Sequence, residues 1–166
     1  MTARAAAPRA VVIGVGNEFR RDDGAGPAVL ARLGGRVPGD VLLIASDGEP
    51  AAMIEAWAGV PLAIVVDAVR AEPARPGRLH RLALDRPGAG QGRRVSSHGF
   101  GLDDAIGLGL ALDRMPGRLI VHAVEGADLG RGTGLSPAVA AAIPALAAGV
   151  LRDIAAAPAP GMHGIP

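Results

Sequence analysis

Cysteine, lysine and tyrosine are missing from this sequence of 166 residues, which holds only two phenylalanines and one tryptophan. Each absence removes a chemistry. Without cysteine there is no thiol nucleophile, no thiolate metal site and no disulfide. Without lysine there is no phosphate-loop lysine, no Schiff base and no serine–lysine dyad. None of the four serines (Ser46, Ser96, Ser97, Ser136) stands in a G-x-S-x-G elbow, and none of the four histidines (His80, His98, His122, His163) in H-E-x-x-H. Single-stranded nucleic acid is held largely by stacking on aromatic rings, and this chain lacks the rings. Its net charge of +1 supplies no basic patch, although an all-arginine basic complement lifts the pI to about 9.0. Carboxylates, histidine, arginine and the backbone remain to do the chemistry.

What is present is an apolar chain of one-domain length. With 49% hydrophobic residues and a mean hydropathy of +0.32, it can bury a core built from Ala, Val, Leu and Ile. A single domain is expected over 1–156, followed by a disordered tail at 157–166, "APAPGMHGIP". The N-terminal "MTARAAAPRAVVIGVG" resembles a secretory signal only superficially, because Pro8 and Arg9 interrupt it. The longest uncharged apolar stretch, 138–151, is shorter than the roughly 20 residues of a membrane span. A cytoplasmic protein with no membrane insertion and no nucleic-acid partner is the expectation.

Segments 10–16, 41–46, 61–69 and 117–124 are almost continuously apolar, the pattern of parallel strands covered on both faces. Segment 77–84, with Arg and His interleaved, reads as a weaker edge strand. Helical patterns fall between them. One contains 27–33, a second spans 49–59 with Pro50 in its first turn and Gly59 at its stop, and a third covers 99–113. Leu102, Ile106 and Leu110 mark the third helix's apolar stripe. The last helix opens at Ser136-Pro137 and contains Pro144, which should kink it. Alternation of this kind predicts a three-layer α/β/α sandwich around a mostly parallel twisted sheet of about five strands, one of them an antiparallel edge strand.

Acids recur where these strands end. Asp22 and Asp23 follow the first, Asp47 and Glu49 flank Gly48 after the second, Asp67 interrupts the third, and Glu125 ends the last. In sheets of this type, sites gather beyond the carboxyl ends of the strands. Pro27 places the first helix start at Gly24 or later, so Asp23 is not needed as its cap and can face the rim. Asp22 either shares that role or holds the turn. Asp67 is an ionisable group in an apolar strand, expensive unless paired or coordinating. His98 precedes a helix in "SSHGFG", whereas His80 and His122 sit within strands and read as structural. Two carboxylates and an imidazole would offer oxygen and nitrogen ligands to a borderline divalent ion such as nickel or zinc.

Taken together, Gly14, Gly16, Asn17, Asp22, Asp23 and Gly24, with "SDGEPA", "VVDAV", "SSHGFGLDDAI" and "AVEGADLGRGTGLSP" following in order, resemble the hydrogenase maturation endopeptidases. That resemblance covers nearly the whole chain. It implies an enzyme that removes the C-terminal extension of a nickel–iron hydrogenase large-subunit precursor, recognising nickel already installed in that substrate. It also implies that Asp23, Asp67 and His98 are both the metal-contacting and the catalytic set, and that Asp47, Gly48, Glu49 and Glu125 line the groove for the tail. Asp23 stands where relatives often carry the longer Glu, and "NEFRR" (17–21) is more polar than the corresponding stretch in many of them. The nickel could polarise the scissile carbonyl or bind the attacking water, or a carboxylate could act as general base. Two other readings are a non-catalytic nickel-sensing checkpoint and a dinucleotide-binding module. The second is poor, because Phe19 occupies the third glycine position of that fingerprint.

Overall fold

The apolar segments pair into one sheet because each is too hydrophobic to leave either face in water. In the computed structural model, which describes residues 6–85 and 101–158, β1 (Ala10–Val15), β2 (Val41–Ser46), β3 (Leu62–Val69), β4 (Leu79–Asp85) and β5 (Arg118–Glu125) lie in the order β2-β1-β3-β5-β4. Every pairing is parallel except β4 with β5. Helices α1 (Ala25–Leu33) and α4 (Pro137–Ala156) cover one face, burying Val29, Leu33, Ile143, Leu146 and Val150 against Ile64, Val66 and Ile120. On the other face α2 (Pro50–Trp57) and α3 (Leu102–Ala111) pack Met53, Ile54, Trp57 and Ala105 onto Val11, Ile13, Val65 and Leu119. Trp57 is fully buried, and its indole Nε1 donates to the Arg114 carbonyl at 3.0 Å. The expected sandwich, with its antiparallel edge strand, is the observed fold.

Two local expectations are corrected. First, β2 is an edge strand covered only in part: Leu43 and Ile44 pack into the cores on opposite faces, while Leu42 is 46% exposed. An apolar run reports what a strand could bury, not where it stands in the sheet. Second, the buried stripe of α3 is Leu102, Ala105 and Gly109, while Leu110 is 42% exposed. At 3.6 residues per turn a strict four-residue spacing drifts around the helix, so its third member leaves the core. Helix α4 is continuous over 20 residues and carries Pro144 on its exposed side. By length and composition α4 could cross a bilayer, but its apolar stripe is the one packed against the sheet and α1. The tail expected over 157–166 lies, from residue 159 onward, outside the described residues.

This topology positions the site. Strand β1 lies between β2 and β3, so the chain leaves neighbouring strands β1 and β3 in opposite directions. A crevice opens at that reversal, beyond their carboxyl ends. Asp23 follows β1, and Asp67 sits near the carboxyl end of β3.

Candidate active site

Two glycines set the geometry after β1. Gly16 adopts φ +135°, and a Cβ there would stand 1.8 Å from the Asp23 carbonyl oxygen. Gly26 lets α1 rest on the sheet, since its Cβ would stand 2.3 Å from the Val15 carbonyl oxygen and 2.9 Å from that of Val66. Between them a 3-10 turn, Arg21–Gly24, delivers the two aspartates, and α1 starts at Ala25 without a side-chain cap. The Asp23 carboxylate is thereby left to the crevice, where Oδ2 accepts from the Asn17 backbone N–H at 2.9 Å.

Asp22 points the other way and is fully buried. It accepts from the backbone N–H groups of Ala127 (2.8 Å), Asp128 (3.0 Å) and Ser136 (2.7 Å), and from the Ser136 hydroxyl (2.9 Å). Burial alone would raise its pKa, but the four donors outweigh that and hold it below the ordinary value. Of the two roles open to it in the sequence, Asp22 takes the structural one, and its hold reaches the loop between β5 and α4, more than a hundred residues away. No local pattern could have shown that partner.

Asp67 is 7% exposed and alternates with Ala63 and Val65 on the face toward α2 and α3. Burial pushes its pKa up to about 7, and the charge of Asp23 adds to the rise, against one backbone donor, Ala68. Among the described residues it has no ion-pair partner. Asp23 and Asp67 share the wall of one open cavity of about 430 Å³.

The loops after β2 and before α3 complete that cavity. Asp47, Gly48 and Glu49 all line it, as does Gly101, whose Cβ would stand 2.1 Å from the Gly48 carbonyl oxygen. Gly48 needs its glycine for φ +90°, and Asp47 Oδ1 closes the turn by accepting from the Glu49 N–H at 3.0 Å. Glu49 is the N-cap of α2, accepting from Ala51 (3.1 Å) and Ala52 (2.9 Å), so its carboxylate is engaged before any ligand arrives. Arg20 and Arg70 add positive charge to a wall otherwise acidic.

Glu125 does not line this cavity. Although it ends β5 as expected, it is 3% exposed, and its Oε1 lies 3.7 Å from His80 Nε2. A rim position in sequence says nothing of which way a side chain turns. His122 is structural, as its place within a strand suggested. It is 4% exposed, its Nε2 lies 2.6 Å from Asp153 Oδ2, and burial holds its pKa below the ordinary value. Arg81 grips the same carboxylate through two bonds of 3.0 and 2.7 Å. His98 lies outside the described residues, as does His163 in the tail. Among the described residues no three metal-ligating side chains gather.

An α/β/α sandwich with two acids at its switch point defines a fold with a rim site, a frame that hosts many chemistries, and comparison with known proteins narrows them. The family profile described as HycI, hydrogenase maturation protease, matches residues 33–153. This chain belongs to the hydrogenase maturation proteases, and it is accordingly a peptidase. Its fold superimposes on the hydrogenase maturating endopeptidase HybD from E. coli with a TM-score of 0.75, at 24% identity over 89% of this chain and 92% of that one. A hydrogenase 2 maturation peptidase from a Thaumarchaeota archaeon aligns at a TM-score of 0.66 and 29% identity, over 88% of this chain and 97% of that one. An endopeptidase from Escherichia coli aligns at 0.72 and 25% identity, over 87% and 90%. No curated protein sequence matches the chain.

Proposed function

We propose that this peptidase removes the C-terminal extension of a nickel-loaded large-subunit precursor of a nickel–iron hydrogenase, with Asp23, Asp67 and His98 contacting the substrate's nickel beside the scissile bond. The carrying observation is the meeting of Asp23 and Asp67 in one cavity, with the Asp67 pKa pushed up to about 7 by burial and by its neighbour's charge. Two carboxyl groups held together without a cation between them repel, and a divalent ion reverses the sign of that interaction. Such an ion would take the proton from Asp67, so its capture strengthens as pH rises through 7. Oxygen donors without thiolate suit an ion that must stay with its substrate. His98 stands three residues before Gly101 in the sequence, and Gly101 lines that cavity. Gly48, Asp47 and Glu49 would line the path of the tail, and the cytoplasm, where the precursor is assembled, would be the place of action. Once the ion is bound, either it polarises the carbonyl or orients the water, or a carboxylate of this pair takes the water's proton.

Mass spectrometry of the precursor after incubation decides the matter. Wild type should shorten the nickel-loaded form and leave the nickel-free form intact. Asp23→Ala, Asp67→Ala and His98→Ala should each leave both forms uncut while remaining folded by circular dichroism. Equal trimming of both precursors, or wild-type trimming by all three variants, refutes the proposal.

A further inference from the structure

A second concavity opens beside the first. It holds about 600 Å³ between Asn17, Phe19, Arg20, Gly130 and Arg131, within the roughly 300–1,000 Å³ typical of ligand pockets. Arg20 lines both cavities, so the two adjoin.

The backbone holds this groove in shape. Arg20 and Gly132 form an isolated parallel bridge, in which the Arg21 N–H donates to the Gly132 carbonyl and the Gly132 N–H to the Phe19 carbonyl, both at 3.0 Å. Asn17 Oδ1 accepts from the Phe19 N–H at 2.9 Å and closes the preceding turn. Phe19 is thereby held out in solvent, 64% exposed, in a chain with only one other phenylalanine. Arg21 is matched by Asp128 at 3.2 Å. Arg20 and Arg131 have no ion-pair partner among the described residues. Two unmatched guanidinium forks around an exposed ring fit a carboxylate next to an apolar side chain.

We infer that this groove seats the C-terminal extension of the precursor, with Arg20 and Arg131 binding a carboxylate of that peptide and Phe19 covering an apolar side chain beside it. The inference rests on the proteolytic reading above and names the part of the substrate that the polar "NEFRR" stretch reads. Continuity favours this occupant: a peptide cut in the first cavity must leave across its wall, and Arg20 lines both cavities. Charge favours it too, since any C-terminal extension ends in an α-carboxylate whatever its sequence.

The test needs no cleavage. Two dansyl-tagged hexapeptides serve as probes at low salt, Gly-Ala-Leu-Glu-Ala-Asp with a free C-terminus and its neutral isostere Gly-Ala-Leu-Gln-Ala-Asn amide. Fluorescence anisotropy with the full chain should show the acidic peptide bound at least tenfold more tightly. Arg20→Gln and Arg131→Gln should each weaken it about fivefold, the scale of a solvent-exposed ion pair. Arg32→Gln, on the exposed side of α1, should leave both affinities unchanged. Added salt should erase the preference. Acidic and neutral peptides bound within twofold of each other, or a preference surviving in the Arg20→Gln/Arg131→Gln double variant, overturns the inference and leaves the peptidase reading standing. A chain that keeps the charge preference but never cuts nickel-loaded precursor overturns the proteolytic reading, and the assigned occupant with it.

Discussion

Replacing Asp67 by Asn should make the protein more stable and leave it unable to process its substrate. Asp67 is 7% exposed, and its pKa stands at about 7 in the folded chain against an ordinary 3.8. A carboxyl whose folded pKa exceeds its unfolded value binds its proton more tightly in the folded chain. Its contribution to stability is therefore full below about pH 4, falls as pH rises, and is gone just above pH 7. The difference between the two pKa values corresponds to about 4 kcal/mol. Asn has nearly the same shape, can still accept from the Ala68 N–H and never ionises. Urea unfolding followed by circular dichroism should give wild type and Asp67→Asn similar midpoints at pH 4. By pH 8 they should diverge by about 2 M, taking a slope of about 2 kcal/mol per M. Subtracting the two curves cancels the titrating groups that do not interact with Asp67, the depressed Asp22 and Asp153 among them. Parallel curves from pH 4 to 8, or a variant that weakens as pH rises, would refute the argument that burial and Asp23 keep this carboxyl protonated.

The remaining expectations concern the frame around that pair. Asp22→Ala strands three backbone donors and a hydroxyl in a buried place, so it should cost about 3–5 kcal/mol and lower the melting temperature by about 10 °C; a drop under 3 °C would show that the loop finds other acceptors. Gly26→Ala should gain about 1 kcal/mol of helix propensity yet lose more to the clash at 2.3 Å with the Val15 carbonyl, giving a net loss of about 1–2 kcal/mol in calorimetry. A variant as stable as wild type would mean that α1 can lift off the sheet without penalty.

Much of this fold was legible because its strands are long, apolar and separated by punctuation. Gly59, at φ +71°, stops α2 as its position suggested, and Pro27 kept the helix start away from Asp23. What sequence could not supply was the third dimension of each polar side chain. Glu49 reads as a rim acid but caps its own helix. Glu125 reads the same way but turns toward His80. Asp22 and Asp23 are adjacent and chemically identical, yet one is bound by four donors from a remote loop and the other faces the cavity. Edge or centre was likewise hidden for β2, since apolarity is a property of a strand while neighbours are a property of the sheet.

Trp57, sealed beneath the α2–α3 layer with its indole N–H tied to the Arg114 carbonyl, is the single tryptophan of a chain without tyrosine. The protein therefore carries a built-in optical probe of one half-core, undiluted by any other strong emitter. Its colour and intensity will report the layer under the acidic crevice as it loosens, while the opposite layer, between α1, α4 and the sheet, stays dark.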